Sequence, residues 1–187
     1  MTLLHEILDY NEKFVAEKKY EEYQTTKFPS KKMVILTCMD TRLTELLPKS
    51  MNLRNGDVKI VKNAGAMVNH PFGSIMRSIL IALYELQAHE VLVIGHHDCG
   101  MAAVKSHETI AKMKERGITE EIFQTLKYSG IPAEEWLQGF SSVEESVRNS
   151  VDMIKNHPLM DKSVPVHGLV INPSTGKLDL VQEGYNV

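Results

Sequence analysis

The sequence predicts an α/β protein: a mainly parallel central sheet with flanking helices, an N-terminal amphipathic helix and a C-terminal β-hairpin. Residues 32–38 and 90–94 are short apolar runs without alternation, as expected of strands that helices cover on both faces. A long apolar helical pattern precedes the second run, and a strand, helix and strand in succession favour parallel pairing. We expect residues 1–187 to form a single domain, because this length suits one core.

The first element is predicted to be an amphipathic helix. Leu3, Leu4, Ile7 and Leu8 recur at helical spacing, and Thr2 is available as an N-cap. This apolar stripe needs a partner, and a terminal helix can find one on another subunit as easily as on its own domain.

The segment between the two apolar runs predicts a short helix, an outer strand and the longest helix. An apolar face over residues 43–47 indicates a short helix that Pro48 ends. Residues 57–62 alternate, with side chains such as Ile60 facing inward, as in a strand near the margin of a sheet. Residues 71–87 carry a broad apolar face that follows a proline at the helix start.

The last part of the chain is predicted to be helical first and then to close the sheet. Residues 101–127 indicate two or three short helices outside the sheet. Ser141 or Ser142 can cap a further helix that has an acidic first turn. Residues 164–171 and 178–181 have the pattern of a closing hairpin.

The composition is that of an ordinary globular protein, with 43% hydrophobic and 24% charged residues and a formal net charge of -3. No basic segment stands out, so we expect no nucleic-acid partner. No apolar run approaches the roughly 20 residues that a membrane span needs, and the acidic residues near the start are unlike a signal peptide. We therefore expect a cytoplasmic protein whose two cysteines are reduced.

Soft metal ligands follow two of the predicted strands. Cys38 ends the first apolar run, whereas His96 and Cys99 follow the run over residues 90–94. Ligands of parallel sheets bind outside the carboxyl ends of the strands, so these side chains meet if the two strands are neighbours. Two thiolates and an imidazole form a zinc-type set with one tetrahedral position left over, which is typical of catalytic zinc.

Other interpretations of these residues stay open at this point. Free cysteines are often simple buried hydrophobes, and a reactive dithiol or a Cys–His nucleophile pair would use the same side chains. Neither of the last two accounts for both cysteines together with Arg42. Asp40 could also be the N-cap of the following helix, with Arg42 a solvated charge.

The two motifs together closely resemble those of the β-class carbonic anhydrases. Cys38-Met-Asp-Thr-Arg42 and His96-His-Asp-Cys99 correspond to the Cys-x-Asp-x-Arg and His-x-x-Cys pair of that family. The resemblance extends to Val61-Lys-Asn-Ala-Gly65 and His167-Gly-Leu169, and so spans most of the chain. The length looks most like that of the compact archaeal-type branch.

The resemblance implies one Zn²⁺ per subunit, held by Cys38, His96 and Cys99 with water or hydroxide as the fourth ligand. Asp40 would accept a hydrogen bond from that ligand, and Arg42 would hold Asp40 ionised and turned away from the metal. Some family members swing the aspartate onto zinc, so Asp40 is also a conditional fourth ligand of a closed state.

The implied reaction is the reversible hydration of carbon dioxide to bicarbonate and a proton. Met39, Ala64 and Gly65 flank the strand ends and are the predicted substrate-binding residues, although core or turn roles would suit them equally. The family also implies a homodimer or a higher homo-oligomer.

Two rival functions share these residues. One is hydrolysis of carbonyl sulfide or carbon disulfide on the same zinc site. The other is a non-catalytic, zinc-stabilised interaction protein. Asp40 and Arg42 beside an open coordination position argue against the latter, because structural zinc is normally closed by a fourth side chain.

Overall fold

The protein folds around a mainly parallel sheet, seen in a computed structural model that describes residues 2–185. Within these residues the first four strands run parallel in the order β2-β1-β3-β4, and β5 pairs antiparallel with β4 at one edge. The predicted α/β class with its C-terminal hairpin is confirmed. The strands are β1 (Met33–Cys38), β2 (Val58–Asn63), β3 (Glu90–His96), β4 (Val166–Ile171) and β5 (Leu178–Gln182).

Helices cover both faces of the sheet, which explains the unbroken apolar runs of β1 and β3. Buried side chains of the third and seventh helices pack on one face, and those of the second helix pack on the other. Within residues 2–185 the α-helices are α1 (Leu3–Ala16), α2 (Leu43–Ser50), α3 (Ser74–Tyr84), α4 (Ser106–Glu115), α5 (Glu120–Tyr128), α6 (Ala133–Leu137) and α7 (Val143–Lys155). None of them combines the length and apolar character that a membrane crossing requires.

The order of the strands places the carboxyl ends of β1 and β3 side by side. The chain passes from β1 to β2 on one side and then returns to β3 on the other side, so the strand order reverses between β1 and β3. The register pairs Thr37 with Ile94, which brings the ends of both strands to the same edge of the sheet. Such a reversal is where α/β proteins bind their ligands.

The prediction that Pro48 ends α2 is wrong. The helix continues to Ser50, because burial of its leucines offsets the lost hydrogen bond and the steric clash that an interior proline costs a helix. Leu43 and Leu47 are buried against the sheet and hold the helix in place.

The long helix is shorter than predicted. It begins at Ser74, because Gly73 donates a hydrogen bond to the His70 carbonyl in a turn that keeps the preceding residues out of the helix. Phe72 therefore lies outside α3 and is exposed. Ile60 is also 40% exposed rather than inward, because β2 is an edge strand.

The N-caps of two helices differ in how well they were predicted. Ser142 caps α7 by accepting a hydrogen bond from the Glu145 N–H, as expected. Thr2 is the residue before α1, but its hydroxyl bonds the His5 ring and does not cap the backbone.

Candidate metal centre

Cys38, His96 and Cys99 come together at the edge between β1 and β3. Their potential ligand atoms all lie within 4.8 Å of one another, and all three residues are buried. Cys38 is the last residue of β1 and His96 the last of β3, while Cys99 precedes a short 3-10 turn over Gly100–Ala103. The structure thus brings together the three residues that the sequence singled out.

The distance between the two sulfur atoms suits a shared metal ion. Cys38 Sγ and Cys99 Sγ lie 3.9 Å apart, and both are free thiols. Two sulfur atoms bound to one tetrahedral zinc ion lie about 3.8 Å apart, since each Zn–S bond is about 2.3 Å long. A disulfide would instead place them about 2.05 Å apart.

In the part of the chain that the structure describes, His96 offers a lone pair that no other protein group uses. Its Nδ1 lies 2.9 Å from the His97 carbonyl, which can only accept, so Nδ1 carries the proton and Nε2 is left as an acceptor. Within residues 2–185, the buried Nε2 has no hydrogen-bond partner. A histidine whose other ring nitrogen is fixed by a backbone carbonyl is typical of zinc sites. This lone pair and the two thiols fit Zn²⁺.

The pKa values of the two thiols move in opposite directions. Burial tends to raise the pKa of Cys38, but the His96 ring and backbone N–H groups, including that of Gly65 at 3.4 Å, lower it to about 7. Burial raises the pKa of Cys99 to about 11, and the adjacent Cys38 adds to this shift. A second thiolate beside the first is therefore unfavourable until a cation neutralises the pair, which is how a bound metal ion acts.

Asp40 is held by Arg42 at the border of this centre. Its Oδ1 accepts hydrogen bonds from Arg42 Nε at 3.0 Å and from the Arg42 backbone N–H at 2.9 Å, and its Oδ2 accepts one from Nη2 at 2.8 Å. The side-chain hydrogen bonds from Arg42 lower the pKa of Asp40 to about 2, so the carboxylate stays ionised. The Asp40 side chain does not cap α2, and Arg42 is not a free solvated charge.

Asp98 is part of the site and was missed in the sequence. Arg42 Nη1 donates to Asp98 Oδ2 at 2.8 Å, and Nη2 donates to the Asp98 carbonyl at 2.9 Å. The one available signal was the position of Asp98 between two predicted ligands, His96 and Cys99.

The predicted substrate-binding residues surround the Cys38 ligand. Met39 is 64% exposed, and its N–H donates to the Asn63 carbonyl at the end of β2. Ala64 is half-buried, and Gly65 is buried with a φ of 83°. Their contact with substrate stays a prediction. Met67, Met101 and Phe140 also crowd Gly65, and no sequence pattern pointed to them.

The family of the chain follows from a match over most of its length. Residues 33–178, which include all the side chains of the centre, match the family model described as "Carbonic anhydrase". The chain belongs to the β-carbonic anhydrase family. Members of this family are zinc enzymes, and Zn²⁺ is the cofactor that the three ligands fit.

Several known proteins are similar to the chain over most of its length. The chain is 63% identical over 186 residues to "Putative carbonic anhydrase YtiB" of Bacillus subtilis (strain 168), which covers 100% of both chains. The crystal structure of β-carbonic anhydrase isoform I from Trichomonas vaginalis superposes with a TM-score of 0.89 at 31% identity, covering 99% of this chain and 100% of that one. A "Carbon disulfide hydrolase" of Acidithiobacillus thiooxidans is 26% identical over 176 residues, covering 88% of this chain and 85% of its own.

Proposed function

We propose that this protein is a zinc lyase, a carbonate dehydratase that reversibly hydrates carbon dioxide to bicarbonate and a proton. One observation carries the proposal: an ionised carboxylate, Asp40, is held by Arg42 next to three ligands that leave a coordination position open. Three protein ligands and one free position are typical of catalytic zinc sites. The membership of the chain in the β-carbonic anhydrase family supports the same reaction.

In this proposal Cys38, His96 and Cys99 hold one zinc ion per subunit. A zinc ion held there would supply a hydroxide nucleophile at neutral pH by lowering the pKa of a water molecule that it binds. Asp40 would accept a hydrogen bond from that hydroxide and so orient it towards carbon dioxide. Arg42 keeps Asp40 ionised and in position.

The substrate approaches past the residues beside Cys38 in this proposal. Met39, Ala64 and Gly65 flank the end of β1, and the exposed Met39 side chain lies on the solvent side. Carbon dioxide is small and apolar, so a narrow opening lined by backbone and modest side chains suits it.

Asp40 is also proposed as a conditional fourth ligand of a closed state. Its Oδ2 lies 3.7 Å from His96 Nε2, so a small movement would bring it to the metal. The hydrogen bonds from Arg42 oppose that movement. A pH series of zinc X-ray absorption spectra that shows no oxygen ligand from Asp40 in any inactive form would contradict this role.

The reaction is tested by stopped-flow hydration of carbon dioxide with the zinc-loaded protein. We expect zinc-dependent turnover in the wild type and a large loss in Asp40→Ala at unchanged zinc content. His107→Ala is the control, because this exposed histidine lies outside the centre. A folded protein with one zinc per subunit and no hydration activity would contradict the proposal.

A sulfur-containing substrate is the second candidate, because the relatives include the carbon disulfide hydrolase already described. Carbon dioxide is favoured, because the 63% identical relative bears the name of a carbonic anhydrase. A sulfur-containing substrate would be favoured instead if the protein released hydrogen sulfide from carbon disulfide or carbonyl sulfide faster than it hydrated carbon dioxide under the same conditions.

We propose that the protein forms a homodimer or a higher homo-oligomer. Within the described residues no side chain of α1 is buried, although Leu3, Leu4, Ile7 and Leu8 are 51–71% exposed and form one stripe. A helix with such a stripe gains most of its stability from a packing partner, and a second copy of the chain supplies one.

We also propose a cytoplasmic location, a branch of the family and a single domain for this protein. The free thiols of Cys38 and Cys99 favour a reducing cytoplasm, which cell fractionation tests. The length of 187 residues supports the compact archaeal-type branch of the family. Residues 1–187 are proposed to form one domain, and calorimetry should then show a single cooperative unfolding transition.

A further inference from the structure

Asp98 has an unusual backbone conformation in the loop between His96 and Cys99. Its φ is +53°, in the left-handed region that only a few per cent of residues other than glycine adopt. In this conformation the Asp98 carboxylate and the Asp98 carbonyl both accept hydrogen bonds from the guanidinium of Arg42. A non-glycine residue held in this region often marks a functional site.

We propose that Asp98 is a positioning residue that anchors Arg42 and thereby keeps Asp40 turned away from the metal. This inference rests on the proposed function, since it concerns the open state of that zinc site. Asp98 itself acts only through Arg42 and contacts neither substrate nor metal.

The need for an anchor follows from the chain positions of Asp40 and Arg42. They are two residues apart on the same loop after β1, so the hydrogen bonds between them do not by themselves fix the pair relative to β3. Asp98 lies 56 positions further along the chain, on the loop after β3. Its contacts fix the guanidinium relative to the strand that carries His96.

The guanidinium geometry makes the anchor rigid. Arg42 uses its Nε–H and one N–H of Nη2 for Asp40, and uses the other N–H of Nη2 and one of Nη1 for Asp98. The five N–H donors of arginine form a planar fork, so engaging both of its sides fixes the orientation of the group. The hydrogen bonds of Asp40 first, and then those of Asp98, raise the pKa of Arg42, so it stays charged.

Because the Asp98 side chain is exposed, its role in positioning Arg42 can be tested without destabilising the fold. Its side chain is 86% exposed, and exposed ion pairs contribute little to stability. Replacing the side chain should therefore leave the fold intact. Asp98→Gly suits the positive φ and keeps the carbonyl acceptor, but removes the carboxylate. Asp98→Asn keeps an oxygen acceptor and tolerates the same φ.

The first measurement is made on the metal-free protein by NMR. We expect the Arg42 Nη1 protons to exchange with solvent roughly ten- to hundredfold faster in Asp98→Gly, because this variant loses the hydrogen bond from Nη1 to the charged Asp98 carboxylate. Asp98→Asn should lie between Asp98→Gly and the wild type. Glu45→Gln is the matched control, because it removes an exposed carboxylate paired with Lys49 on the neighbouring helix. Equal exchange in all four proteins would overturn the proposal.

The second measurement uses the cobalt(II)-substituted protein. We expect the d–d spectrum of Asp98→Gly to move towards that of a site closed by a carboxylate, with slower release of the metal to a chelator. Asp40→Asn in the same background should abolish both changes. A cobalt spectrum and a release rate like those of the wild type would contradict the proposal. Neither measurement needs turnover, so a failed carbon dioxide assay would refute the proposed function and leave this test intact.

Discussion

Neighbouring groups decide which lone pairs and protons the side chains of the metal centre have available. His96 would bind a metal ion through Nε2, because the His97 carbonyl fixes the proton on Nδ1. Cys99 keeps its proton beside Cys38 until a cation arrives, since burial and the neighbouring sulfur raise its pKa. The centre thus needs a metal ion to bring all three donors to their binding forms.

Removing a donor atom should remove the metal. In His96→Ala only two thiols remain, and in Cys99→Ser a weaker oxygen donor replaces a thiolate, so each variant should lose most of its zinc and all measurable hydration activity. Zinc per subunit is measured by inductively coupled plasma mass spectrometry after gel filtration, with His107→Ala as the control. Full zinc content in either ligand variant would show that the metal lies elsewhere.

Gly65 should be the least tolerant glycine of the centre. Its φ is 83°, and a Cβ atom there would lie 3.0 Å from Met67 Sδ and 3.1 Å from both Met101 and Phe140. Gly65→Ala should therefore cost roughly 2–4 kcal/mol of unfolding free energy, from left-handed strain and crowding together. Urea unfolding of the zinc-loaded protein measures this.

Gly117 provides the matched control for Gly65→Ala. Its φ is 94°, but a Cβ atom there would meet nothing within 4 Å. Gly117→Ala should show the strain alone, about 1–2 kcal/mol. If the two variants lost equal stability, the crowding around Gly65 would be unimportant.

The placement of two site residues could be predicted, because it follows from chain position alone. Cys38 and His96 could be paired because parallel strands end at one edge of the sheet, and the structure places them there. Asp98 could not be predicted in its role, because that role depends on a positive φ and on a contact with Arg42, 56 positions away. Neither feature leaves a periodic signal in the sequence.

At the scale of elements, apolar runs predicted the strands better than prolines predicted the ends of the helices. β1 and β3 are covered on both faces, so burial forces continuous apolar sequence. Pro48 and Pro71 were poorer guides, because buried leucines carry α2 past Pro48 and a turn at His70 delays the start of α3. Packing overrode local propensity at Pro48, whereas a local backbone turn set the start of α3.

Two glycines let α7 approach the sheet beneath the metal centre. A Cβ atom at Gly95 of β3 would lie 2.7 Å from Val143 and 2.8 Å from Val147 of α7, and one at Gly168 of β4 would lie 2.7 Å from Val147. These contacts are shorter than packed carbon atoms allow. Because Gly95 precedes His96, the approach of α7 also supports the strand end that carries a ligand.

Gly95→Ala should destabilise the fold by about 1–3 kcal/mol, the usual result of overpacking a core. Adding Val147→Ala removes one of the two methyl groups that the new Cβ would meet, while that of Val143 remains, so the double variant should lose somewhat less stability than the sum of the two single variants. Denaturant unfolding of all four proteins in a double-mutant cycle gives the coupling energy. Simple additivity would mean that Val147 does not limit the approach at Gly95.

At the scale of the whole molecule, α1 carries an apolar stripe that a single copy leaves uncovered. Buried side chains of α2, α3 and α7 pack against the sheet, whereas within residues 2–185 α1 buries none of its side chains. The metal centre is built from the ends of β1 and β3, the loops after them and the turn at Gly65 after β2. Folding of the centre and assembly of the oligomer should therefore be separable.

Charging the apolar stripe of α1 should break the oligomer and spare zinc binding. In the double variant Leu4→Glu and Leu8→Glu, two carboxylates replace side chains that are 62% and 51% exposed in one copy. The isolated chain would tolerate these carboxylates. An interface that buried them would become unfavourable, because burying a charge is costly. Light scattering coupled to gel filtration should show the wild type at a multiple of 21.1 kDa and the variant shifted towards the monomer mass, with zinc content unchanged. Glu6→Gln with Glu12→Gln, on the same helix but outside the leucine stripe, should keep the wild-type mass. If the leucine variant kept the full oligomer mass, the interface would lie on another surface. If the wild type eluted as a monomer at every concentration, the proposed oligomer would be refuted.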